Sequence, residues 1–174
     1  MKKSKTGEKF KKLDKLKPKE LRIYGFVKAL TAYLILAVVV IAVSAYFVGR
    51  SDLVGPLFLG MGGLSLLMLK FYKIPLKAVG PDIVFGAIDN GVLVLAAVIG
   101  ANFAGVFGAI VGGVAGNTIT DGIGGLFEGN IAEHQREYKI DNLRTALSTC
   151  LGKMAGCLFG GGLVLIIFWF FGLV

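Results

Sequence analysis

The chain has 174 residues, 55% of them hydrophobic with 26 glycines besides, and a mean hydropathy of +0.76. Soluble domains hold about 45–50% apolar residues with glycine counted, so this composition excludes a large aqueous domain and points to an integral membrane protein. The formal net charge is +8, but most of it lies in an N-terminal tail beside an apolar run. That position favours an anchor on anionic headgroups over nucleic-acid binding.

Residues 1–24 form the basic tail, in which lysines alternate with Glu8, Asp14 and Glu20. The charged region is too long, and the apolar run after it too full, for a cleavable signal peptide. Pro18 opens a short helix over Lys19–Tyr24 at the interface. Residues 25–174 then read as one all-α transmembrane bundle of five helices, with spans at about 26–48, 53–72, 82–100, 102–132 and 145–173.

The first span, from Phe26, is aliphatic and carries aromatics at its ends, as interfacial belts do. Arg50 and Asp52 sit in the turn after it. The second span has Pro56 in its first turn, where a missing amide costs little. Its Gly60, Gly62 and Gly63 allow close helix approach. Lys70, Lys73 and Lys77 follow, with Pro75 breaking the helix. By the positive-inside rule this loop is cytoplasmic.

A short turn joins the third and fourth spans, which therefore form an antiparallel hairpin. The charged segment from Glu133 to Arg144 returns to the cytoplasm. In the fifth span Lys153 snorkels to headgroups, and Phe168, Trp169, Phe170 and Phe171 mark the far interface. The bundle has its N-terminus in and its C-terminus out.

The hairpin carries the chemistry. A carboxylate in hydrocarbon costs about 3 kcal/mol on insertion scales, yet the third span holds Asp89 beside Asn90, and the fourth holds Asn117, Asp121 and Glu128. Asn117, Asp121 and Glu128 fall within about a 60° sector of one helix face. Asp89 and Glu128 are expected at similar depth. Carboxylate and carboxamide oxygens converging there suit a hard or borderline divalent cation, so Asp89, Glu128 and Asp121 are the candidate ligands, with Asn90 and Asn117 in support. The competing reading makes these groups interhelical hydrogen-bond partners. Thr118 and Thr120 bond their own helix backbone.

Gly105, Gly108, Gly112 and Gly116, and then Gly125 and Gly129, recur at helical spacing and mark helix packing, with a dimer axis as one use of it. They do not form a phosphate loop, because no strand precedes them and no GKS or GKT follows. Cys150 and Cys157 lie on one helix face about 10 Å apart, too far for a disulfide, and read as small buried apolar residues. His134 sits in a polar segment. No catalytic motif is present, and the reading is non-enzymatic.

The run Asp82 to Gly91, with Phe85, Gly86, Ala87 and Asp89, resembles the FGANDG-type opening of vacuolar iron transporter-like proteins. The run through Glu128 to Gln135, Arg136 and Glu137 resembles their next helix, with its GEY-type glutamate and SQRE-like end. The resemblance covers residues 81–138. It implies a five-helix transporter of iron or manganese that exchanges protons and works as a dimer, with Asp89 and Glu128 at the family's acidic positions and the metal as substrate, not as a tightly bound cofactor. Two spans precede the pair here, Asn90 replaces a glycine, and the family's methionine near Gly124 is absent. The second functional reading is a non-transporting membrane subunit or scaffold. It packs in a larger membrane complex, or on copies of itself, through the glycine-rich helices.

Overall fold

A computed structural model describes the backbone of residues 18–137 and 145–173, and the side chains of 23–127 and 145–173. The described residues are all helical or in short turns. The helices are α1 (Pro18–Phe47), α2 (Ser51–Phe71), α3 (Leu76–Glu137) and α4 (Ala146–Phe170). Each has a stretch long and apolar enough to cross a bilayer.

The first element departs from expectation at its start. No separate interface helix ends at Tyr24; Pro18 opens a helix that runs unbroken to Phe47. A proline's missing amide is harmless there, because first-turn amides have no partner within the helix. Most of the basic tail, residues 1–17, lies outside the described residues. The last helix starts on a capping box, in which Thr145 Oγ1 accepts from the Ser148 amide and Ser148 Oγ accepts from the Thr145 amide.

The apolar stretch of α3, Leu76–Phe127, has 52 residues. Straight, it would reach about 78 Å, more than twice a hydrocarbon core of about 30 Å. The chain reverses instead at Ala104 (φ −143°, ψ 26°) and Gly105 (φ +57°, ψ −138°), a backbone conformation suited to glycine. The first arm, 76–103, and the second arm, 106–137, pack antiparallel. A Cβ on Gly108 would strike the Gly100 carbonyl, one on Gly112 the Ala96 carbonyl, and one on Gly124 the Phe85 ring. On Gly116 it would come within 2.9 Å of the Ala96 methyl.

The centre of the bundle is α4, which packs on α1, α2 and the first arm of α3. Its glycines let backbones touch. A Cβ on Gly156 would meet the Ile83 carbonyl, and one on Gly160 the Ala87 carbonyl. On Gly162 it would lie 2.9 Å from the Gly55 carbonyl. Contact positions rise together along α4 and the first arm, so these run parallel; along α4 and α2 they run opposite, with Gly55 against Ile166 and Gly62 against Phe159. Lipid offers no hydrophobic drive between helices, so close van der Waals packing of this kind is what joins them.

At one end of the bundle, Ala29, Ala32 and Leu36 of α1 meet Leu69 of α2, Val79 of the first arm, and Leu147 and Leu151 of α4. Lys28 Nζ lies 4.4 Å from the centre of the Tyr72 ring at the same end. The outer faces of α1 and of the second arm are apolar and exposed: Ile41 is 67% accessible, Val106 80% and Leu126 78%. Surfaces of that kind call for a lipid bilayer around them.

Candidate intramembrane polar site

The hairpin register decides what faces Asp89. The facing positions Gly108 and Gly100, Gly112 and Ala96, Gly124 and Phe85 set Thr120 opposite Asp89. Thr120 Oγ1 makes a short hydrogen bond to Asp89 Oδ1 across the two arms. The same hydroxyl lies 3.1 Å from the Gly116 carbonyl and 3.0 Å from that of Asn117. A hydroxyl has one proton and two lone pairs, so it serves Asp89 in either charge state. It donates to the carboxylate, or it accepts from the acid and turns its own proton to a backbone carbonyl. Thr120 is buried and Asp89 half-buried.

This pairing changes the expected geometry. Asp89 is level with Thr120, and position 128 lies eight residues further along the second arm, about 12 Å by helical rise. The side chain of Glu128 and the surroundings of Gly129 lie outside the described residues. Asp121 is not brought to Asp89: it is exposed, one position round the helix from Thr120, and accepts a 2.8 Å bond from Asn117 Nδ2. Asn117 and Asp121 thus form a polar pair on the outer side of the hairpin. Among the described residues no three of His, Cys, Asp and Glu gather as metal ligands. Thr118 donates to the Val114 carbonyl at 2.8 Å, as expected of an intrahelical threonine.

Polar groups also occupy the inner side, between the first arm and α4. Asn90, Lys153, Met154 and Cys157 share a cavity of about 280 Å³ with Val40 and Phe58. Asp82 is 2% exposed, with its Cβ against Gly152. Lys153 Nζ sits 4.8 Å from the centre of the Phe85 ring, so its ammonium has an aromatic face within the bundle. Lys153 therefore packs at the interface of α4 with the first arm.

Comparison with protein-family models, with curated proteins and with solved structures found no match.

Sequence reasoning passed over Asp82 and saw Thr120 only as a backbone partner. Asp82 had a signal, because it lies seven residues before Asp89 and shares its helix face. The glycines divide as well. Gly108, Gly112 and Gly116 close the hairpin and Gly105 turns it, whereas Gly125, like Gly60 and Gly63 of α2, faces open space. The tightest contacts outside the hairpin belong to Gly156 and Gly160 of α4.

Proposed function

We propose that the chain carries a divalent cation, iron or manganese, across a membrane along the acidic residues of the hairpin. The observation that supports it is the Asp89–Thr120 contact, a carboxylate held between two apolar arms by a side chain serving both of its charge states. Keeping an acid at such depth costs free energy unless it serves a cation, a proton or a partner. On this reading each arm of α3 crosses the bilayer, giving five crossings, with the N-terminus cytoplasmic and the C-terminus outside. Asp89 binds the ion with the Thr120 hydroxyl beside it, both hard oxygen donors. Glu128 extends the path along the second arm. Proton exchange takes the form of Asp89 accepting a proton as the ion leaves, with Thr120 reversing its hydrogen bond.

The test is manganese and ferrous uptake by liposomes holding the purified chain. Asp89→Asn should lower flux at least tenfold, and Glu128→Gln should lower flux or shift its proton dependence. Flux unchanged in Asp89→Asn removes this reading.

The exposed Asn117–Asp121 pair favours a second reading. A polar pair on a face otherwise given to lipid is a contact in search of a partner. The chain would then be a non-transporting subunit, self-assembling (a dimer first) or packed in a larger membrane complex through the second arm. Cross-linking of an Asp121→Cys variant in native membranes separates the two.

A further inference from the structure

Gly55 and Gly62 of α2 face α4. Gly60, Leu64 and Leu67 lie on the opposite side of the same helix, and all three are exposed. A hollow of about 750 Å³ opens there, lined by Gly60, Gly63 and Leu67 of α2 and by Ile74 and Leu76 beyond its end. A Cβ on Gly60 or Gly63 would meet nothing within 4 Å, so no part of the described chain fills the notch. Lys70 is the one charged residue that lines it.

We propose that this hollow binds one anionic phospholipid, with an acyl chain against the two glycines and the phosphate at Lys70. Depth supports a lipid. Gly60 lies ten residues before Lys70, about 15 Å along the helix and half of a hydrocarbon core of about 30 Å. The hollow therefore runs from the headgroup level to the middle of the bilayer, the reach of one leaflet. A second hollow, between α1 and α2, continues from Gly60 and Leu64 toward Phe47 and has only apolar walls. The charge thus stays in one leaflet.

Charge supports an anionic headgroup. Lys73 and Lys77 follow Lys70 at intervals of three and four, and all three are exposed. No acid stands between Asp52 and Asp82, and among the described residues none of the three lysines makes an ion pair. Ammonium groups clustered at headgroup level attract a net-anionic lipid. The same cluster disfavours a second copy as the occupant. A two-fold axis along the membrane normal would set both hollows at one depth and bring the two Lys70 side chains together, like charge on like. The site needs α2 to cross the bilayer and does not rest on the transport reading of the hairpin.

The test uses the full chain, purified in detergent and delipidated, with lipid binding measured by native mass spectrometry. Phosphatidylglycerol and phosphatidylcholine of identical acyl chains are the probes. The first phosphatidylglycerol should bind at least fivefold more tightly than the first phosphatidylcholine. Lys70→Gln should cut that preference to less than twofold. Gly63→Leu, which fills the notch, should weaken the first phosphatidylglycerol at least fivefold, whereas Gly122→Leu, at another helical glycine with open space around it, should not. A second readout needs no variant: in liposomes, phosphatidylglycerol carrying a diazirine near the end of its acyl chain should cross-link mainly to residues 60–67. Equal binding of the two lipids by the wild type, or an unchanged preference in Lys70→Gln, would overturn the proposal. So would disulfide-linked dimers of a Leu67→Cys/Cys150→Ser/Cys157→Ser variant in liposomes, which would put a second copy in the hollow.

Discussion

Gly160 and Gly60 are both helical glycines in apolar surroundings, and the fold assigns them opposite roles. A methyl group at Gly160 would meet the Ala87 carbonyl, a backbone atom that cannot swing away. Gly160→Ala should therefore destabilise the protein by about 1–3 kcal/mol through overpacking. At Gly60 nothing lies within 4 Å, so Gly60→Ala should be neutral, or stabilising by up to about 1 kcal/mol through helix propensity. Thermal unfolding in detergent compares the two. At the polar site, Thr120→Val keeps the shape and removes the hydroxyl. Hydrogen bonds between membrane helices contribute about 0.5–2 kcal/mol, and the variant should lose an amount in that range. Asp89→Ala, which removes the acceptor, should largely suppress that loss when the two are combined in a double-mutant cycle. Additive effects of the two substitutions would mean that the side chains act separately.

At the scale of elements, the hairpin turns on one residue. Gly105 has φ +57° and ψ −138°, where a side chain costs about 1–3 kcal/mol. Gly105→Val should loosen the reversal, read as faster proteolysis between the arms in detergent, whereas Gly25→Val, at a helical site with no neighbour within 4 Å, should not. The position of this reversal also explains what the sequence revealed and what it hid. An acid in an apolar run is conspicuous, so Asp89 and Asp121 stood out. Their partners depended on the turn. A turn at 101, between the expected spans, sets Gly113 opposite Asp89, so the shared depth expected of Asp89 and Glu128 did not follow even from that turn. The reversal at 104–105 moves the facing residue by about seven places, to Thr120, because each step of the turn shifts the register by two. Spacing alone could not choose between these, since Ala101, Asn102, Ala104 and Gly105 are all small or polar. Helix existence was legible from hydropathy. The central place of α4 was not, because glycine spacing marks the capacity for close approach and names no partner.

The whole molecule is held together mainly through α4, against which α1, α2 and the first arm of α3 pack. The second arm of α3 leans on the first arm and presents an exposed apolar face, broken by the Asn117–Asp121 pair. Both functional readings of the hairpin need its two arms inside the bilayer, and the most direct measurement asks whether they are. In sealed proteoliposomes of uniform orientation, single cysteines are placed at Phe103, beside the reversal, and at Lys77, near the start of the first arm, in a Cys150→Ser/Cys157→Ser background. Both positions are exposed. A membrane-impermeant maleimide should label them from opposite sides. Labelling of both from the same side would mean that the first arm does not cross, and would leave Asp89 and Thr120 without a place in the membrane.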